Sequence, residues 1–411
     1  MTVKVERAKE PQIAHGVRTP VPGTGVTLRY EDDSELSPDD VRQLISLFER
    51  AFNGGPSWFR LGVTPEAHLR WKAGPDRGAP TRIELTEDES GIVGFRMTMW
   101  RRFLVRGTVT SVTEGVDATL DPRLQGRRIT SQRADFSTGR GMRGQACFAM
   151  GYAMHPTSRV RRGVPGKALI SAERVDSVVK PLSARRLLER RRSQRTAKPE
   201  APTTSRTRSA MEARERRWTS MLSGERVGFA MRLAWAFRPR RTPRCSWRIE
   251  TTERFDDRAT AFFEEASAPF DLIQVRDAAY LNWRFCDRRG GAFLVRVVQD
   301  GDAVLGYSAL RADASGAVLA DLLALPQHDD VAKALIDDAM EQARRQGAPS
   351  ISARLPRSHP YRRLLARAGF ARNPLPLTLS YAAVDCSEDS LHWLTEPGVR
   401  LHIMTADTDH V

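Results

Sequence analysis

The chain runs twice through one order of secondary structure without repeating its sequence, and this order constrains the architecture more than any single motif. The first pass opens with a strand over 25–33 and two helices over 37–52 and 64–74, with Ser37 placed as N-cap and Asp40 three residues on as a partial capping box. Alternating strands fill 81–120, broken by turn signals at Glu89-Ser90-Gly91 and Arg106-Gly107. A helix from about Gly126 to Gly139–Gly141, a strand over 146–154, a helical turn over 157–163 and a segment over 166–175 complete the pass. The second begins with a strand over 245–256 and helices over 257–267 and 275–285, followed by a meander over 292–325 broken at Asp300-Gly301 and Ser315-Gly316. A helix over 330–347 carries Val331, Leu335, Ala339 and Ala343 on one stripe and ends at Gly347. A strand over 350–356, a helix over 360–370 and a strand over 377–383 close it. The expected class is α/β, with two similar domains that each build a mixed, mostly antiparallel sheet flanked by helices.

Between the passes the composition changes. Residues 181–244 hold 18 Lys+Arg against 5 Asp+Glu, so nearly all of the net charge of +15 falls there. Rich in Arg, Ser, Thr and Pro and poor in large apolar residues, the stretch has the make-up of a loosely ordered linker. The domains expected are therefore 1–180, the Arg-rich linker 181–244, and 245–411. Two further roles for the linker stay open, both read from charge: nucleic-acid contact through phosphates, and an anionic-membrane anchor at 228–241, where Trp235 and Phe237 adjoin Arg238, Arg240 and Arg241. Ala230, Leu233 and Ala234 fit equally well a helix packed on the domains. The N-terminal stretch carries acids and no apolar core, unlike a signal peptide, and the four cysteines are scattered without a CxxC. A cytoplasmic protein with reduced thiols is expected. The eight histidines show no i,i+4 pair and no ligand spacing, so no metal is expected.

At three stretches the sequence resembles the GNAT-type N-acetyltransferase superfamily in a tandem arrangement: "SGIVGFRM" (90–97), "VDATLDPRLQGRRI" (116–129) and "YRRLLARAGF" (361–370). The resemblance covers nearly the whole chain outside the Arg-rich linker, and implies two GNAT-like domains. It also implies acetyl-CoA or another acyl-CoA as co-substrate, with a strand over Val116–Leu120 splaying from its neighbour so that free main-chain groups at Thr119 and Leu120 meet the pantetheine arm. The pyrophosphate would then sit on the loop Gln125, Gly126, Arg127, Arg128, Ile129 and Thr130, at a helix N-terminus whose unpaired N–H groups favour anions. Gln125 matches the first position of the family pattern, but Arg128 and Thr130 stand where small residues belong, and Gly126 comes two positions early. Arg123, Arg127 and Arg128 offer side-chain donors in place of glycine backbone. The loop is either a working clamp or a helix start that only keeps the fold. The equivalent loop of the second half, "LPQHDDVAK", sets two aspartates where a pyrophosphate would go, which disfavours that ligand.

The same resemblance implies a base for the amine and an acid for the leaving thiolate. Glu114 and Asp117 begin the central strand, where a base of the family can sit, and Glu114 is the candidate general base. At the position of the family's acid tyrosine stand Arg159 and Leu365; Tyr152 and Tyr361 are nearby but read as packing residues. The function expected is acyl-CoA-dependent N-acyl transfer to a small-molecule or sugar amine. Two alternatives remain: a catalytically silent GNAT-fold binding or scaffold protein, and a Fem-type aminoacyl transferase whose tRNA donor would give the Arg-rich segment a purpose.

Overall fold

The structure is a computed structural model, and it describes residues 16–32, 36–52, 55, 57–74, 81–124, 129, 147–153, 170–183, 246–387 and 389–407. The helix expected from about 126 to 141 and the Arg-rich segment lie almost entirely outside the described residues. In the first half the described elements are β1 (Thr19–Pro20), β2 (Thr27–Asp32), α1 (Pro38–Ala51), α2 (Pro65–Ala73), β3 (Thr81–Asp88), β4 (Gly91–Val105), β5 (Thr108–Leu120), β6 (Phe148–Ala153) and β7 (Ile170–Pro181). In the second half they are β8 (Arg248–Thr251), α3 (Arg258–Ala266), β9 (Leu272–Gln274), α4 (Ala278–Leu281), β10 (Leu294–Asp300), β11 (Ala303–Asp313) and β12 (Gly316–Ala324). They continue with α5 (Asp329–Arg345), β13 (Ser350–Pro356), α6 (Arg362–Arg367), β14 (Ala371–Ala383) and β15 (Leu401–His402). A π-helical turn over Asn282–Cys286 extends α4.

Local chemistry accounts for the starts. Ser37 Oγ accepts from Asp40 N at 3.0 Å and Asp40 Oδ2 accepts from Ser37 N at 3.0 Å, so the capping box at α1 is complete. Val41, Leu44, Leu47 and Phe48 then fall on one buried face. Thr64 caps α2 by accepting from Ala67 N, with Pro65 in the first turn.

The chain divides into two compact units, each discontinuous in sequence. The first comprises 1–174, 270–292 and 376–402; the second comprises 175–269, 293–375 and 403–411. In the first unit the strand order is β1-β2-β3-β4-β5-β6-β14, antiparallel except for the parallel pair β5/β6. The outer end of β4 also pairs with β9, and β9 with β15. Phe48 meets Trp58 and Phe95 edge-on in the core, with centroids 5.2 and 5.4 Å away. In the second unit the order is β7-β13-β12-β11-β10-β8, antiparallel except for β12/β13. The buried stripe of α5, from Val331 to Ala343, packs with Leu319, Leu322, Ile351 and Leu355.

The fold class is thus as expected, mixed sheets flanked by helices, but the closing strands are exchanged along the chain. Residues 378–383 pair with β6, whereas 175–181 pair with β13. Apolar alternation specifies which face of a strand is buried and not which edge it joins, so this exchange leaves no mark in the sequence pattern. No helix among the described residues is long and apolar enough to cross a membrane.

Candidate functional site

The first unit's central feature is a fork. β5 runs parallel to β6 only from Val112↔Phe148 to Glu114↔Met150, while it stays paired with β4 on its other side as far as Leu120. Between Val116 and Thr119 β5 has two residues, Asp117 and Ala118, where β4 has only Arg96 between Met97 and Phe95, so β5 carries one extra residue there. Such a bulge bends its strand and ends regular pairing. Asp117 supplies the conformation, with φ at 51° in the left-handed region that Asp tolerates better than most residues. Its carboxylate is held by Lys72 Nζ at 2.6 Å, and its carbonyl accepts from Thr119 Oγ at 3.0 Å. The ion pair from α2 and the hydroxyl two residues on fix the bend at the point where β5 leaves β6.

Glu114 stands at the branch point and is 3% exposed. Arg101, diagonal to it on β4 and also buried, holds its carboxylate at 2.7 Å. Beside this pair a small, partly open cleft is lined by Trp100, Arg101, Gln274, Tyr280 and Trp283. Trp283 stacks on Trp71 at 4.8 Å, and each indole N–H donates to the other residue's carbonyl, at 3.0 and 3.3 Å. Tyr280 packs against Trp283, with centroids 5.8 Å apart, and together they wall the cleft.

Across the fork's base, strand register places Glu114, Met150 and Tyr381 on one face. Tyr381 is fully buried, and its hydroxyl has no hydrogen-bond partner among the described residues. Burial, with the nearby negative charge of Glu173, pushes its phenol well above the ordinary range, so the group keeps its proton at neutral pH. Arg159 and Leu365 stand at the positions implied for a tyrosine on the last helices, whereas Tyr381 lies on the exchanged strand β14.

Beyond the fork the chain enters the loop. Asp121 is buried and accepts from Arg123 N at 3.0 Å and Arg123 Nε at 2.9 Å, with Arg50 at 3.3 Å. Burial alone would raise the Asp121 carboxyl, but the Arg123 and Arg50 bonds outweigh it and hold the group below the usual carboxylate range. Arg123, one of three arginines expected near a phosphate, is thus engaged by its own turn. Ile129 is buried with Val26, Leu28, Tyr30 and Val93, which anchors the far end of the loop. Gln125, Gly126, Arg127, Arg128 and Thr130 lie outside the described residues. Thr119 is buried and Leu120 half-buried at the fork's outer end, where Leu120 pairs with Gly94.

The second unit repeats the fork and fills it. β12 is parallel to β13 only at Ala317↔Ile351 and Val318↔Ser352, and it carries its own extra residue opposite Ala309–Leu310. Tyr361 is buried, and its hydroxyl accepts from the main-chain N–H of Ala324, the last residue of β12. The turn Thr405–Asp407 packs against β12 and β13, and Thr405 Oγ accepts from Arg354 N at 2.9 Å. Asp407, fully buried, accepts from Met404 N at 2.8 Å and so belongs to this plug. Main-chain groups that a splayed strand would offer a ligand are taken by the chain itself.

No family model matches the chain, and no curated protein matches it in sequence. Solved structures resemble it in fold. N-myristoyltransferase from Saccharomyces cerevisiae with bound myristoyl-CoA superposes with a TM-score of 0.54 at 12% identity, covering 94% of this chain and 89% of the other. A conserved protein of Enterococcus faecalis V583 described as a probable N-acyltransferase gives 0.53 at 10% identity, covering 87% and 73%. A GCN5-related N-acetyltransferase from Kribbella flavida gives 0.50 at 11% identity, covering 88% and 72%. At these identities the likeness is one of fold.

Proposed function

We propose that the chain transfers an acyl group from acyl-CoA to an amine, with the first unit taking the donor. The observation that carries this reading is the fork: β5 is bent away from β6 by a bulge with two dedicated partners, and it leads directly into an arginine-rich loop. Strand main-chain groups beyond Glu114 suit the amides of a pantetheine arm, and Arg127 and Arg128 suit a pyrophosphate as charge-assisted donors. The fold neighbours that act on acyl groups support the same class of chemistry. In the second unit the corresponding fork is closed by Tyr361 and the 405–407 turn, which suits a structural or acceptor-shaping part.

In this reading the amine nitrogen attacks the thioester carbonyl, the C–N bond forms, and the C–S bond breaks to release CoA thiolate. Glu114 is the proposed proton acceptor for the amine, and Tyr381 the proposed donor to the thiolate. The acceptor, a small-molecule or sugar amine, is assigned to the cleft beside Arg101, where Trp100 and Trp283 offer apolar walls. Release of free thiol from acetyl-CoA and longer acyl-CoAs, measured over a panel of amines, tests the proposal directly. Turnover should fall by at least about a hundredfold in Tyr381→Phe while donor affinity holds, as removal of a proton-transfer group requires. Equal loss of donor affinity would assign Tyr381 to packing instead. A silent scaffold is the second reading, favoured by Arg128 and Thr130 standing where the family loop has small residues; it predicts no thiol release with any amine.

A further inference from the structure

In the second unit three arginines meet on one oxygen of a buried carboxylate. Asp176, on β7, is 1% exposed, and its Oδ2 lies 2.7 Å from Arg372 Nε, 3.0 Å from Arg362 Nη1 and 3.2 Å from Arg357 Nε. The four residues come from four places in the chain: β7, the residue after β13, the first residue of α6 and the second of β14. No local sequence regularity brings them together; the sheet does.

The charges do not balance. Among the described residues Asp176 is the only acid that any of the three guanidiniums contacts, so three positive charges face one negative. A purely structural ion pair needs one arginine, and each further one adds repulsion at short range. Asp176 holds the three side chains convergent against that repulsion, while its Oδ1 has no hydrogen-bond partner among the described residues. The arginine side chains remain 39%, 23% and 44% exposed for Arg357, Arg362 and Arg372, so their other N–H groups are within reach of a ligand from solvent. Lys180, buried nearby in sequence, is occupied with the carbonyl of Ala368.

We infer that this cluster is a binding site for a phosphomonoester. Its surplus of two positive charges matches a phosphate dianion, and planar guanidiniums match phosphate oxygens in two-pronged geometry where an ammonium would offer only a point charge. A carboxylate, with one charge and two oxygens, would leave one arginine uncompensated. The site stands whether or not the acyl-transfer reading does, because the phosphate has two possible sources: the 3′-phosphate of CoA, or a phosphate on another ligand.

The test is calorimetric titration of the full chain with inorganic phosphate near pH 8, at constant ionic strength. Saturable binding is expected in the wild type, weakened about tenfold or more by Arg372→Gln or Arg362→Gln, the loss that follows from removing one charge-assisted contact. Arg372→Lys should lose less than Arg372→Gln. Arg363→Gln, which removes an exposed charge outside the cluster, should bind like the wild type. Absence of saturable binding, unchanged affinity in the cluster variants, or an equal loss in Arg363→Gln would overturn the site. If a cluster variant melts early, protection of the wild type by phosphate in a thermal melt replaces titration of that variant: a rise no larger than with equimolar acetate overturns the proposal, a larger rise supports it. Titration with CoA and dephospho-CoA then separates the sources. A preference for CoA that disappears in Arg372→Gln assigns the donor's 3′-phosphate, and equal affinities assign the phosphate to another ligand.

Discussion

Glu114 and Arg101 are both shielded from water and hold each other's charge, so removing either takes the counter-ion from a buried charge. Glu114→Gln should therefore cost about 3–5 kcal/mol of unfolding free energy, measurable by denaturant titration, and Arg101→Met in the same chain should restore most of it. A rescued double variant that remains inactive would separate the carboxylate's part in proton transfer from its part in folding. Asp121 behaves differently, because its carboxyl is held below the ordinary range by Arg123 and Arg50. A depressed folded-state value means that the stabilisation is complete above the unfolded value, about pH 4, and is lost as pH falls through the folded value. Asp121→Asn should thus flatten the acid limb of the stability profile, and an acid limb identical to the wild type would contradict this account of the loop. Of these residues the sequence singled out Glu114, and Arg123 as a phosphate donor where the fold engages it with Asp121. The partner of Glu114 was hidden because Arg101 sits in an apolar run, "TMWRRFLV", where alternation alone does not say which of two adjacent arginines points inward.

At the scale of elements, the α1 cap was fully legible, since its Ser37–Asp40 spacing acts over three residues and needs nothing from the rest of the fold. Ser37→Ala should cost about 1 kcal/mol, read as a small shift in the thermal midpoint. The forks were legible only through family resemblance, and their bulges not at all, because an Asp within a strand pattern does not announce the left-handed φ of Asp117 and Ala320 is an ordinary strand residue. Exchange of β7 and β14 was likewise invisible, and it has a consequence for truncation. Residues 1–183 alone lack β14, so the edge of β6 would be exposed and Phe148 would lose Tyr381, its edge-on neighbour at 5.6 Å. This fragment should show little amide protection in hydrogen exchange, and adding residues 246–411 should raise protection in β5 and β6. A fragment that folds by itself would show that the exchanged strand is dispensable.

At the scale of the whole molecule the two forks differ: the first is the proposed donor site, and the second is filled by the chain's own residues. The two aspartates of the second half's loop disfavour a pyrophosphate on charge alone, while the plug of Tyr361 and Thr405–Asp407 depends on segments far from that loop. The most direct test is calorimetric titration of acetyl-CoA and a long-chain acyl-CoA into the wild type and Arg128→Gly. One donor per chain should bind, and at about 100 times its Kd it should stabilise the protein by roughly 2.7 kcal/mol. Arg128→Gly should lose affinity at least several-fold, because it removes a charge-assisted phosphate contact. Tighter binding by Arg128→Gly would mean that the arginine blocks the loop, and no binding of either acyl-CoA by either protein would contradict the donor site itself.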